Sequence, residues 1–396
     1  MSFHFAHKCL LVWRIAKREV GVFKRRPLLI FCMLVAPLFA TLFFCTMMYS
    51  GLPERLPTGL VDEDDSQTTR SIVRILSTMK TTGLSHRYAS FAEARQAMQR
   101  GEIYAFFYIP RGTTSEALAS RQPMISFYTN DSYFVAGSLL MKDLKVISEM
   151  SGIAINKATL QAKGISDARA LGILQPIVIE THPMGNPCLN YGVLLNNLIL
   201  PGIVLMLVML TTAYALGIEW KLGTQAFLLN HLAQGSVSVA LAGKLLPQTA
   251  LYATVLATIQ VFFYRIMGYP CQCNLLVMMG LGLLAILAAQ GLGTAIFALF
   301  AGQMRMAMSG AALLGVLSIP MAGFSFPTTA MTPLMQALSW VFPLRDYFLV
   351  YANQALNGYA LVYAWRPIVA LLLLVALPLP LLPRLKRAFC SVEYKP

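Results

Sequence analysis

The stretch LPGIVLMLVMLTTAYALGIEWKLGTQAFLL, residues 200–229, decides the class of the chain. Its apolar part closes an interval, 181–218, that holds no Asp, Glu, Lys or Arg between Glu180 and Glu219. A bilayer core of about 30 Å takes roughly 20 apolar residues of helix, so this interval is long enough to cross. The remaining composition agrees: 57% of the 396 residues are apolar and 12% charged, and the mean hydropathy is +0.62. Soluble domains carry about 25% charge. An ordinary soluble enzyme is excluded.

Outward from this stretch, further uncharged intervals occupy 27–53, 245–264, 266–304, 306–344 and 367–383. A single helix of 39 residues would be about 58 Å long, roughly twice the core. Both intervals of that length are therefore interrupted. Gly268, Pro270, Cys271 and Asn274 mark a turn that leaves a span at about 275–300 in the first. In the second, Pro320, Pro327, Pro333 and Pro343 limit the span to about 307–326 and break the residues beyond it. The segment PLMQALSW, 333–340, is too short to cross and reads as a re-entrant or interfacial helix within 327–347. Six transmembrane helices result.

Charge sets the orientation. Lys and Arg number 31 against 17 Asp and Glu, a formal net charge of +14. The stretch 51–190 is nearly neutral, with 14 basic and 13 acidic side chains. The excess lies on short flanks: Lys8, Arg14, Lys17, Arg18, Lys24, Arg25 and Arg26 before the first span, and Arg384, Lys386, Arg387 and Lys395 after the last. Short basic flanks stay on the cytoplasmic side and attract anionic headgroups. The excess is read as membrane orientation and not as nucleic-acid binding. An even number of spans then puts both termini inside. It also puts 51–190 outside, 217–244 inside, 265–274 outside, 301–306 inside and 327–362 outside. The first span lacks a small-residue cleavage site and reads as a retained anchor.

The expected fold is thus a polytopic α-helical membrane protein with an extracytoplasmic α/β domain inserted between helices 1 and 2. Its parts are a cytoplasmic amphipathic helix at 1–27, transmembrane helix 1 at 28–50 and the α/β domain at 51–190. Transmembrane helices 2–6 follow at 191–383, with a cytoplasmic loop at 217–244, and a tail at 384–396. Within the insertion, TGLVDEDDS (58–66) reads as a strand ending in an acidic turn, and 67–80 as a helix with Ile72, Leu76 and Met79 on one face. Ser90 and Glu93 form a capping box, and the runs 103–110 and 123–130 are β-rich. A helix starts near Ser132, with Leu139, Leu140, Leu144, Ile147 and Met150 as its stripe.

Chemistry-bearing patterns are few. Asp62, Glu63, Asp64 and Asp65 are consecutive, match no calcium loop, and read as a solvated turn. His86 and His182 have no partner at metal-ligand spacing. For Cys188, Cys271 and Cys273 two readings stay open: a bridge from Cys188 to one of the other two, or plain packing. No GxxxxGK[ST] phosphate loop, HExxH or nucleophile–base pair is present. The spans offer amides and hydroxyls, such as Asn196, Asn197, Gln260, Gln290 and Thr294, in place of the acidic or basic residues that ion-coupled carriers use. No bound cofactor is expected.

In ordered pieces, nearly the whole chain resembles the permease subunit of an ABC-2 type ABC transporter, of the bacterial exporter kind with a large external domain between spans one and two. The pieces are KREVGVFKRRP (17–27), VDEDDS (61–66), GEIYAFFYIPRG (101–112), ISFYTNDS (125–132), the stretch 200–229 with its Gly-Thr pair, GKLLPQ (243–248) and FSFPTTAMTPLMQALSWVFPLRDYF (324–348). One departure is that Glu219 is followed by Trp220 and Lys221, where the family often places a second acidic or charged position before Gly-Thr.

The resemblance implies two permease subunits, the same or related, each receiving a cytoplasmic ATPase subunit that supplies ATP hydrolysis. It implies a location in the bacterial inner membrane and allows a periplasmic membrane-fusion adaptor leading to an outer-membrane channel. The coupling helix would run from about Gly223 to His231, with Thr224 as N-cap and Ala226, Phe227, Leu228 and Leu229 as an apolar surface for the ATPase; an interfacial helix lying on lipid is the alternative. Glu219 would pair with Arg14 or Arg18 of the connecting helix, unless those arginines merely snorkel. Two other functions stay open: a membrane-anchored receptor with an external sensing domain, and an ion-coupled carrier. The substrate is not legible, so drugs, lipids, glycolipids and peptides all remain candidates.

Overall fold

The computed structural model describes residues 2–119, 121, 124–162, 166, 169, 185–186 and 190–391. The chain divides into two compact units, Ser50–His182 and the remainder, Met1–Tyr49 with Pro183–Pro396. His182 and Cys188 lie outside the described residues.

The first helix, α1, covers Ser2–Lys24. Leu11, Ile15, Glu19 and Phe23 recur every fourth residue and form its buried row, with Ile15 fully enclosed. A carboxylate thus sits in the middle of an otherwise apolar stripe, while Arg14 and Lys17 lie on the exposed side. The row packs on the third span at Gly243, where an added Cβ would stand 2.6 Å from Ile15 Cβ and 2.9 Å from the Val12 carbonyl oxygen. Overpacking of this kind costs about 1–3 kcal/mol. We therefore expect Gly243→Val to loosen α1 and speed tryptic cleavage after Lys17 and Lys24. An unchanged digestion pattern would show that α1 docks elsewhere.

Span one is Pro27–Met47. Pro27 opens it at a position where its missing N–H is no loss, and a π-helical turn at Phe31–Val35 precedes Pro37.

The unit Ser50–His182 is built on a four-stranded sheet of order β2-β1-β3-β4, with β1 at Leu56–Asp62, β2 at Thr82–Arg87, β3 at Ala105–Ile109 and β4 at Ser126–Thr129. β1 pairs in parallel with β2 and β3, and β4 closes the sheet antiparallel to β3. Successive residues of a strand point to opposite faces, and both faces are covered. Leu60 and Phe107 pack with Val73, Leu76 and Ile147, whereas Val61 and Phe106 pack with Ala94, Ala97 and Ile103. The helices Gln67–Ser77 and Phe134–Ala162 thus serve one face and Phe91–Gln99 the other.

Local capping explains the helix starts. Ser66 and Thr69 form a reciprocal capping box. Ser90 accepts from the Glu93 N–H, while Glu93 reaches back to the Ala89 N–H in place of that of Ser90. The expected acidic turn is held together by its own side chains. Asp62 accepts from the Asp64 and Asp65 N–H groups. Asp64 accepts from the Gly112 N–H, 2.9 Å away, and from the Thr114 backbone and hydroxyl; these bonds hold its carboxyl below the usual carboxylate range. Among the described residues no cluster of three metal-ligating side chains occurs.

In the second unit five further apolar helices follow span one among the described residues: Gly192–Lys221, Val237–Ile266, Leu275–Leu299, Met304–Met321 and Leu361–Cys390, spans two to six. Several boundaries differ from those read in the sequence. Span two continues through Lys221 and span three starts at Val237, because Glu219 and Lys244 are buried in partnership and need not mark the ends of helices. The expected loop 217–244 therefore shrinks to 222–236. Span six is longer than 367–383 but irregular at Leu377–Leu381, where Pro378 and Pro380 interrupt it before a terminal helix Leu382–Ser391.

Span two is central: from Leu198 to Trp220 it is buried except along one half-buried stripe, Ile199, Ile203, Met206, Leu210 and Tyr214. Small residues bring backbones close, as is general between apolar helices; Gly291 of span four lies against the Leu374 carbonyl of span six. The amides and hydroxyls of the spans bridge neighbours. Gln248 donates to Thr211 and Thr212 at 2.6 and 3.0 Å, Gln260 to Tyr347 at 3.0 Å, Thr249 to Gln290 at 2.8 Å, and Tyr264 to Asn197 at 3.0 Å. Between spans five and six the segment 327–347 contains the short helix Pro333–Ser339 and the start of a second, Pro343–Tyr351. Arg345 and Asp346 are buried there as a 2.8 Å pair, with the guanidinium over Trp340. The Cys271 and Cys273 sulfurs lie 3.9 Å apart and both thiols are free.

Candidate functional site

The end of span two gathers the strongest chemistry in the chain. The helix stops by a Schellman motif: the Thr224 N–H donates to the Glu219 carbonyl at 2.9 Å and the Gly223 N–H to that of Trp220 at 3.1 Å. Gly223 takes the left-handed conformation, φ +65°, which a residue with a Cβ enters only at a cost. The Gly-Thr pair is thus the stop signal of the span. The sequence expectation that the Thr224 side chain caps the next helix does not hold; its hydroxyl instead donates to the Glu219 carboxylate.

Glu219 sits in the last turn of span two, where the helix dipole disfavours an anion. Cations from two other elements offset this. Arg18 of α1 donates through both terminal nitrogens at 3.1 Å, and Lys244 of span three donates at 2.7 Å. Lys244 also reaches Glu19 at 3.0 Å, and Arg18 reaches Glu19 at 3.3 Å. Two carboxylates and two cations therefore balance. Glu19, Glu219 and Lys244 are sealed from solvent, and Arg18 keeps 29% of its side chain exposed. Burial raises the pKa of Glu19, and Lys244 opposes that rise. A buried charge stays ionised only when paired and hydrogen-bonded, so this cluster locks α1, span two, span three and Thr224 into one arrangement.

Of the two arginines expected to meet Glu219, Arg18 does so and Arg14 is exposed. Two partners are new to the sequence reading. Lys244 reads there as a span boundary, and Glu19 has no assigned role, though its spacing from Leu11, Ile15 and Phe23 is the available signal.

The loop beyond Thr224 contains a short helical turn, Gln225–Phe227, running into a π turn at Leu228–Leu232. Phe227 is 52% exposed and stacks on His231; Leu222 and Ala226 are also exposed. The expectation that Leu228 shares that exposed face is corrected: it is completely buried, as is Leu229 beside it. One turn of helix cannot present four consecutive apolar residues outward, and this pair anchors the loop to the core. Trp220, immediately after Glu219, packs on Phe297 of span four and on Phe389 of the terminal helix. His7 of α1 and Gln234 of the loop are hydrogen-bonded at 3.0 Å.

Six apolar helices of crossing length among the described residues define a polytopic helical membrane protein, and a buried charge lock ties α1 to the ends of spans two and three beside a loop with exposed apolar residues. Residues 27–382 match the family described as ABC-2 family transporter protein, and the chain belongs to that family. No curated protein matches the chain. As a member it is a transport subunit and not itself catalytic.

Proposed function

We propose that the chain is the permease subunit of an ATP-driven exporter, working as a dimer and energised by a separate ATPase bound to the loop 222–236. The observation that carries this reading is the Glu219 lock. Through Arg18, Lys244 and Thr224 it joins that loop to α1 and to the ends of spans two and three, so a push on the loop moves all of them. Phe227, Leu222 and Ala226 supply the exposed apolar contact for the ATPase. ATP binding would close the ATPase pair and rock the spans between two states that expose the substrate path to opposite sides with different affinity. In this reading α1, the loop and both termini are cytoplasmic, the membrane is the bacterial inner membrane, and the α/β unit Ser50–His182 is extracytoplasmic. There it would act as a gate or dock an adaptor.

The test is reconstitution. Co-expressed with a candidate phosphate-loop ATPase, the chain should co-purify in mild detergent and stimulate ATP hydrolysis. Vectorial pumping by the chain alone, with no nucleotide-hydrolysing partner, would overturn the proposal.

A further inference from the structure

A cavity of about 290 Å³ opens in the unit Ser50–His182 between edge strand β2 and the helix Gln67–Ser77, lined by Leu60, Val73, Ser77, Leu84 and residues 85–87. Strand pairing explains it. Thr58 stands opposite Leu84 but Gly59 opposite His86, so Ser85 is an extra residue in β2. In a regular strand Leu84 and Arg87, three apart, would point to opposite faces of the sheet. The bulge shifts the alternation by one residue. Arg87 therefore lies opposite Leu60 and on the same face as Leu84. The helix Phe134–Ala162 meets the start of β2, where Thr82 donates to Asp143 at 3.2 Å. The cavity lies further along the strand.

Its lining has two parts. Leu60 and Val73 are buried and form an apolar floor together with Leu84. The rim is polar: the Ser77 hydroxyl, which donates to the Arg74 carbonyl, the Ser85 hydroxyl, bonded to His86 at 2.8 Å, and Arg87. Arg87 is exposed and makes no hydrogen bond or ion pair among the described residues. Asp65 feels its charge, but both oxygens of that carboxylate are already held by Arg70, at 2.9 and 3.0 Å. The guanidinium thus keeps its N–H donors for a ligand. One guanidinium balances one negative charge, and its planar fork matches a carboxylate. A bare inorganic anion would leave the floor uncovered, and a neutral hydrocarbon would leave the guanidinium unused. The space holds about ten water-sized groups. We propose that this cavity binds a small amphipathic carboxylic acid, its carboxylate on Arg87 and its hydrocarbon body on Leu60, Val73 and Leu84. The site lies wholly within one unit and is independent of the exporter reading.

The test titrates the purified full chain in detergent with phenylacetate, read by ligand-observed NMR against micelles without protein. Phenylacetate should bind with a Kd of about 1 mM, usual for a ligand of about ten heavy atoms. Its neutral isostere phenylacetamide and its truncated form acetate should each bind about tenfold more weakly, since one lacks the charged hydrogen bond and the other the apolar contact. Arg87→Gln should reduce phenylacetate binding to the level of the amide. Ser77→Phe, at an exposed position on the rim, should fill the cavity and abolish phenylacetate binding with the unfolding midpoint unchanged. Arg95→Gln removes an exposed cation from the helix on the opposite face of the sheet and should leave binding intact. Absence of phenylacetate binding up to about 10 mM would overturn the site. Equal binding of acid and amide, undiminished binding in Arg87→Gln or Ser77→Phe, or an equal loss in Arg95→Gln would do so as well, the last by showing diffuse attraction to surface charge.

Discussion

Lys244→Met should lower the apparent unfolding midpoint of the purified chain by roughly 10 °C. The substitution keeps the length of the side chain and removes its charge, leaving Glu19 and Glu219 buried with Arg18 as their remaining cation. Breaking a buried pair by removing one partner costs about 3–5 kcal/mol, and a chain of this size shifts by a few degrees per kcal/mol. Glu219→Gln should be nearly as damaging, because that carboxylate accepts from Arg18 twice, from Lys244 and from Thr224. Glu19→Gln should be milder: Glu19 has fewer donors, and its charged form is already disfavoured by burial. The informative variant is the double one, Glu219→Leu with Lys244→Met, which leaves Arg18 and Glu19 balanced. Replacing a buried pair by apolar residues is often neutral or stabilising, so the midpoint should return to near that of the unmodified chain. Thermal denaturation followed by size-exclusion fluorescence measures all four. A double variant as unstable as Lys244→Met would show that the cluster is not an electrostatic unit.

The same double variant separates folding from coupling. With Glu219 gone, Thr224 loses the carboxylate it donates to and Arg18 loses its ion pair with span two. A well-folded chain that no longer stimulates the proposed ATPase would mean the lock serves transmission; unimpaired stimulation would reduce it to packing.

How much of this is legible in the sequence depends on the range of the interactions. The spans announce themselves, since apolar length is a local property, and so do the two-faced strand LPTGLVD and the apolar run AFFYI. Edge strand β2, TGLSHR, does not, because its polar residues face solvent and its pairing with β1 depends on residues distant in sequence. The Arg18–Glu219 contact is one of the two options that the sequence leaves open. The Lys244 contact is not among them, because a charge at the edge of an uncharged interval looks like a boundary until its partner is known. The split of AFLL into exposed and buried halves is hidden for a related reason. A run of four apolar residues fits either face of a turn, and the packing of the loop against α1 and span three chooses between them.

That split yields the second large effect. Phe227→Asp should abolish association with the proposed ATPase while leaving insertion and thermal stability unchanged, since the ring is half exposed and stacks on His231. Leu228→Asp should fail in a different way. It would place an unpaired carboxylate at a fully buried position, a mechanism that belongs with the largest single-residue losses, and the chain should be poorly recovered from the membrane. Comparing the two in one experiment, with yield, midpoint and ATPase co-elution measured side by side, distinguishes a docking surface from a folding defect. If Phe227→Asp kept full co-elution and stimulated hydrolysis, the loop 222–236 would not be the ATPase contact. If Leu228→Asp folded normally, the buried half of the loop would be assigned wrongly, and the route from Phe227 to Glu219 along which a push must travel would lose its anchor.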